Sequence, residues 1–333
     1  MRAMVLEQYG HIDGAPLMLR DVDDPLPGAG EVRVKVSVCA VCRTDLHVIE
    51  RDLPQAKLPI IPGHQVVGVV DRVGAGCTRL KGGQRVGIAW LRHTCAECRF
   101  CRSGRENLCE RQRFTGYHAD GGYGEYAVVP EAYAYELPEE MDDVAVSPLL
   151  CAGIVGYRAL QRANVPDGGK LLLVGFGSSA HIVIQLARRR GHEVYVVTLT
   201  EGHQALGRKM GAAWAGSDCA DLPVKVDSAI LFAPVGRLAP PVLAALEKGG
   251  TLSIAGIYVS DVPALNYERH LFYERDVRTV TANTRDDGRA LLMEAAAAGV
   301  KPHTTTYDLP DANRALQDVK HSRIDGTAVL RVR

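Results

Sequence analysis

Leu171-Leu172-Leu173-Val174-Gly175-Phe176-Gly177-Ser178-Ser179-Ala180 is the stretch that decides the fold. An apolar run of strand length meets two closely spaced glycines, and a helical pattern follows over residues 179–190. There Ile182, Val183, Leu186 and Ala187 share a face until Gly191 stops it. Gly175 and Gly177 permit a tight turn and close backbone approach, while Ala180 keeps the helix near the strand. The helix N-terminus then offers its unpaired N–H groups to a pyrophosphate. Such a motif is weak by itself, but between a strand and a helix it marks a dinucleotide site. Gly175, Phe176, Gly177, Ser178 and Ser179 are its candidate residues.

Outward from this turn, apolar runs recur at residues 194–198, 228–232, 251–255 and 277–281, with helix-like stretches between them. The alternation predicts an α/β fold with a doubly wound parallel sheet over residues 151–282. Residues 1–150 read differently. Short alternating segments, such as 32–38 and 66–73, lie between Gly, Pro and Asp clusters, which predicts irregular β structure. Beyond Ala282 there remain one helix over 288–298 and a strand near 327–332. These are too few for a third domain, so residues 283–333 are expected to return to the first.

Lys plus Arg equals Asp plus Glu at 39 each, so no global field recruits nucleic acid or an anionic membrane. The opening residues resemble a strand rather than a signal peptide, and no apolar run reaches membrane-span length. A cytoplasmic protein with small-molecule partners is the expectation.

Nine cysteines are present. Cys95, Cys98, Cys101 and Cys109 give C-x2-C-x2-C-x7-C inside a loop-like stretch, residues 93–110. Four thiolates so placed can close a tetrahedron around zinc. Iron–sulfur clusters use similar spacing, but the proline-terminated run and the second cluster of bacterial ferredoxins are missing. A closed four-sulfur site stiffens a lobe and has no open position for substrate. Cys42, His64 and Cys151 form a second, scattered set. Each alone reads as packing or surface; together they make two thiolates and one imidazole, which leave a fourth zinc position open.

Here the chain resembles, over essentially its whole length, the zinc-containing medium-chain alcohol dehydrogenases. The resemblance implies a GroES-like catalytic domain beside the Rossmann domain, and two zinc ions per chain. It assigns the catalytic zinc to Cys42, His64 and Cys151, and the structural zinc to Cys95, Cys98, Cys101 and Cys109. Asp45 would orient a ligand, Thr44 would receive the substrate proton, and His47 would pass it to solvent through the cofactor ribose. Arg43 would meet the cofactor pyrophosphate. Trp90 and Leu53 would line the substrate pocket, with Leu53 where the yeast enzyme carries tryptophan, so the pocket should exceed one built for ethanol. The implied activity is hydride transfer between a primary alcohol or aldehyde and NAD or NADP, in a homodimer or homotetramer. Gln65 departs from the glutamate that usually follows the zinc histidine. Cys39, Cys77 and Cys219 match no ligand position.

Aligning residues 191–197 as the second strand of the parallel sheet puts Thr198 where NAD-preferring sites carry an acid, so the carboxylate that would repel a 2′-phosphate is absent. Glu193 lies too early, and Glu201 reads as a cap of the next helix. Thr198, Thr200, His203 and Arg208 are the groups that could hold a phosphate, which predicts tolerance of NADP. Two other readings stay open. A polyol dehydrogenase of the same fold typically carries glutamate where Cys151 stands. A non-catalytic, redox-sensing zinc- and nucleotide-binding protein leaves Cys42, His64, Cys151, Thr44 and His47 without a chemical reason.

Overall fold

A computed structural model describes residues 1–54 and 57–332. One unit comprises Met1–Ala152, Asn283–Ala296 and the chain from Pro302 onward; the other comprises Gly153–Ala282 and Ala297–Lys301.

In the second unit six strands pair in the order Trp214–Gly216, Glu193–Val197, Lys170–Val174, Val226–Leu231, Leu246–Ile254 and Asp276–Thr279. All neighbours are parallel. Numbered by sequence this is 3-2-1-4-5-6, the order that places a dinucleotide where the winding reverses. Leu171, Leu172, Leu173 and Val174 are all buried, as expected of a strand whose two faces are both covered. The three-residue strand Trp214–Gly216 is too short to carry a periodic signal. Leu246–Ile254 begins ahead of the apolar run at 251–255, because Leu246 already pairs with Val226 before a register shift.

In the first unit the strand Glu31–Ala40 is the hub of a seven-stranded sheet. It pairs antiparallel with Gln65–Val73, with Tyr126–Pro130 and with Thr327–Arg331. Val32, Val34 and Val36 alternate inward and meet Val66 and Val70 in the core, the period-2 burial of a half-covered sheet. The register sets Ala40 opposite Gln65. Cys42, two residues beyond Ala40, and His64, one residue before Gln65, therefore leave the sheet at the same end.

The later chain holds more structure than the one helix and one strand expected of it. A strand Thr304–Asp308 lies parallel to Thr327–Arg331, and a helix spans Ala312–Lys320. The strand is an edge with mostly exposed side chains, so it shows no apolar alternation. The helix expected over 288–298 starts at Arg285. Thr284 Oγ1 accepts from Asp287 N at 3.1 Å while Asp287 Oδ2 accepts from Thr284 N at 2.8 Å, a reciprocal cap. Among the described residues, no single helix is long and apolar enough to cross a membrane.

Candidate metal centres and nucleotide turn

Cys42 caps the helix Arg43–Ile49: its Sγ accepts from Thr44 N at 3.5 Å, and its own N–H donates to Asp45 Oδ2 at 2.9 Å. A sulfur at a helix N-terminus sits in a field that favours thiolate. The glycine before His64 has φ +93, and a Cβ there would lie 2.3 Å from the Tyr123 ring. The turn Pro62-Gly63-His64 thus requires glycine. Cys151 follows the buried turn Ser147–Leu150, whose Leu150 fills the space beside Gly87.

The three side chains converge. Cys42 Sγ lies 3.8 Å from Cys151 Sγ, and the sulfurs and a His64 ring nitrogen fall within 4.8 Å of one another. His64 donates from Nδ1 to Asp45 Oδ1 at 2.9 Å, which leaves Nε2 buried and without a hydrogen-bond partner. An orphaned imidazole nitrogen at 0% exposure is costly unless something binds it. Sulfurs about 2.3 Å from a tetrahedral zinc lie roughly 3.8 Å apart, so these residues fit the metal. Contact with Cys151 holds the Cys42 thiol well below its ordinary range, with burial opposing and His64 assisting. The same contact, reinforced by burial, pushes Cys151 well above it. At His64 burial works downward, but the Asp45 charge and hydrogen bond override it and push the imidazole up to about 10.

Around this cluster, Thr44 Oγ1 stands 3.6 Å from Cys42 Sγ. His47 Nδ1 meets Asp52 Oδ2 at 2.8 Å, a partner that sequence reading missed. Arg43 is exposed and reaches Val319 O at 3.4 Å. Leu53 donates its N–H to His47 O at 3.4 Å. Trp90 stands edge-on to His64 with ring centroids 4.9 Å apart, stacks on Phe114 at 4.7 Å and lies 5.8 Å from Tyr117. His118 joins this group by stacking on Phe114 at 5.6 Å. The aromatic wall beside the zinc-type ligands is therefore larger than Trp90 alone. Phe114 and Tyr117 reach Trp90 through the pairing of the short strand Arg113–Phe114 with Leu91–His93, and strands of two and three residues carry no pattern that a sequence shows. Gln65 is buried, and neither its amide oxygen nor its amide nitrogen has a partner.

The four-cysteine loop gathers its sulfurs locally. Cys95 lies 3.5 Å from Cys109 and 3.9 Å from Cys101, and Cys98 lies 3.5 Å from Cys101. The Glu97 backbone N–H, with others, brings Cys95 down to about 6, whereas burial pushes Cys101 up to about 11. Four sulfurs at these spacings also fit a tetrahedral zinc. Between Cys101 and Cys109, Glu106 takes three bonds from the Arg285 side chain and one from its backbone N–H, at 2.7–3.1 Å. Burial works against the carboxylate, but these bonds hold Glu106 below the usual glutamate range.

In the other unit, Gly175 adopts φ +87 and donates to Val197 O at 2.8 Å; a Cβ there would meet Ala233 N at 2.9 Å. Gly177 is the N-cap of Ser178–Arg189, offers no side-chain cap, and faces open space. That uncapped N-terminus fits a pyrophosphate. Phe176 is buried, so only its backbone faces the turn. His181, buried inside the helix, bonds Gly177 O from its backbone N–H and its ring Nδ1, both at 3.2 Å. Thr198 is 7% exposed while Leu199 is 85% exposed. Thr200, not Glu201, caps the next helix, and Arg208 spends a guanidinium nitrogen on Ala215 O at 2.6 Å. That bond commits Arg208 to the edge strand, which weakens its candidacy as a phosphate ligand.

Residues 28–139 match the alcohol dehydrogenase GroES-like domain. The chain is 50% identical to a probable alcohol dehydrogenase, AdhA, of Mycobacterium tuberculosis, over 99% of this chain and 97% of that one. It is 34% identical to an alcohol dehydrogenase of Geobacillus stearothermophilus, over 100% and 99% of the two chains. Its fold is similar to a cobalt- and zinc-bound thermostable alcohol dehydrogenase from Pyrobaculum aerophilum, with a TM-score of 0.89 at 26% identity over 100% and 99% of the two chains.

Proposed function

The chain belongs to the zinc-dependent medium-chain alcohol dehydrogenases, and from that premise we propose which of its residues carry the oxidation of an alcohol, or reduction of an aldehyde, with NAD(P). Cys42, His64 and Cys151 hold the catalytic zinc; Cys95, Cys98, Cys101 and Cys109 hold the structural one. When bound, zinc lowers the pKa of an alcohol and polarises a carbonyl, and the nicotinamide exchanges hydride.

The protein's own groups do the rest. Asp45 keeps the His64 proton on Nδ1 and so leaves Nε2 as the ligand atom. Thr44, beside the Cys42 sulfur, takes the substrate hydroxyl proton. His47, held by Asp52, passes that proton toward solvent, and the Gly175–Ser179 turn binds the diphosphate. Trp90, Leu53 and the aromatic wall of Phe114 and Tyr117 receive the organic part of the substrate, which favours medium-chain or aromatic primary alcohols over ethanol. Residues 1–150 with 283–333 form the catalytic portion and 151–282 the nucleotide-binding portion. Thr198 stands in for the acid that excludes a 2′-phosphate, so NADP is accepted alongside NAD. The protein is proposed to be a cytoplasmic homo-oligomer, dimer or tetramer.

The observation that carries this reading is the orphaned, buried Nε2 of His64 beside two sulfurs 3.8 Å apart. Its test is zinc content and turnover of Cys42→Ser. The reading expects one zinc lost with turnover abolished and nucleotide binding kept; retained turnover overturns it.

A further inference from the structure

Behind the ligand cluster stands a side chain that neither the reaction nor the metal assignment uses. Tyr123 is 0% exposed, and its hydroxyl donates to Asp45 Oδ2 at 3.1 Å. The same oxygen accepts from Cys42 N at 2.9 Å, and the other, Oδ1, accepts from His64 Nδ1 at 2.9 Å. Asp45 is thus a buried carboxylate with three donors, and Tyr123 is the one among them that belongs to no proposed zinc ligand. Burial, with the Asp45 charge, pushes the Tyr123 phenol well above its ordinary range, which keeps it a donor.

The ring has a second task. It occupies the space where a Gly63 Cβ would be, 2.3 Å from Cδ1, and Tyr123 N donates to Pro62 O at 3.0 Å. Ring and backbone support the turn that delivers His64, while the hydroxyl supports the carboxylate that fixes its tautomer. We infer that Tyr123 is a positioning residue for the catalytic zinc, acting through its hydroxyl on Asp45 and through Asp45 on His64. The inference rests on the assignment of Cys42, His64 and Cys151 as zinc ligands.

The chemistry of a buried carboxylate gives the direction. Without the hydroxyl, Oδ2 keeps one donor, Cys42 N, and the buried carboxylate is held less firmly in place. A shift of Asp45 loosens its hold on His64 and favours release of the metal. Groups that bond a metal ligand directly are typically worth 10–100-fold in affinity or activity. A group one bond further out should be worth less, about three- to tenfold, by the same comparison.

The test is zinc transfer from the holoenzyme to an excess of a coloured chelator, in wild type, Tyr123→Phe and Tyr123→Leu, with Cys42→Ser alongside. Cys42→Ser identifies the phase that belongs to the catalytic zinc; if it lacks neither phase, the ligand assignment itself fails. Given that phase, the inference expects Tyr123→Phe to speed it about three- to tenfold while the four-cysteine phase keeps its rate. Tyr123→Phe keeps the ring, so its melting temperature should stay near that of wild type. A Phe variant that releases zinc at the wild-type rate, with only Leu accelerated, assigns Tyr123 to packing and overturns the inference. Equal acceleration of both phases also overturns it, because that reports general loosening.

Discussion

The two cysteine-rich centres of this protein solve one coordination problem in opposite ways. Cys95, Cys98, Cys101 and Cys109 come from one short loop, and backbone N–H groups of Cys95 and Cys98 already point at their sulfurs. Cys42, His64 and Cys151 are spread over 109 positions of chain and meet only because the sheet register and a buried turn bring them to one place. Under the proposed assignment, zinc in the local cluster holds the loop and contributes to folding, whereas the cluster assembled by the fold has three ligands and keeps a position for substrate.

The largest test of that difference is to remove one ligand from each. Cys151→Ser should lower kcat/KM by roughly a thousandfold or more, because Lewis-acid assistance supplies several kcal/mol, and should change the melting temperature little. Cys101→Ser should do the reverse, costing stability or assembly first. Thermal melts beside steady-state kinetics decide it, and a Cys101→Ser protein of normal stability with one zinc would remove the contrast.

Next in size is Gly63→Ala. Its added Cβ meets the Tyr123 ring in a left-handed backbone conformation, so overpacking should cost about 1–3 kcal/mol and disturb the zinc at His64. Denaturant unfolding and zinc content measure both; a stable, fully loaded variant would show that the turn has room.

The loop's attachment to the helix Arg285–Ala298 offers a smaller, pH-dependent effect. Glu106 is held below the usual glutamate range by Arg285. A carboxylate depressed on folding stabilises the protein above its unfolded pKa and loses that contribution as pH falls through its folded pKa. The melting-temperature gap between wild type and Glu106→Gln should therefore be widest near neutrality and close at acid pH. A gap independent of pH contradicts the charge argument.

Smallest is cofactor choice. Thr198→Asp should shift the kcat/KM ratio toward NAD by placing a carboxylate at the end of the second parallel strand. Thr198 is buried, and an unchanged ratio would mean that its side chain does not reach the ribose.

What the sequence disclosed follows the same local-versus-global division. The turn from Leu171 to Ala180, the strands of the parallel sheet and the cysteine loop were legible because each is written in neighbouring residues. The scattered centre was legible only as a set, two thiolates and one imidazole, to which the family resemblance added the catalytic role, since no spacing rule joins Cys42 to Cys151. Tyr123 and Asp52 were not legible at all. Tyr123 lies 78 residues from the Asp45 it bonds, and Asp52 reaches back to His47 from beyond the end of its helix. The edge strand Thr304–Asp308 escaped because it lacks apolar alternation, whereas the helix Ala312–Lys320 does carry the signal, Ala312, Ala315, Leu316 and Val319 at helical spacing, and could have been read. Gln65 drew notice as a departure, and the structure adds that its buried amide has no partner.

The most direct test of the central claim, one zinc for chemistry and one for the fold, is graded chelation of the purified enzyme, with zinc content, turnover and melting temperature followed on the same samples. The account predicts that turnover vanishes with loss of the first equivalent while the melting temperature holds, and that the melt falls only with the second. Turnover and stability lost together, in proportion to total zinc, would contradict it.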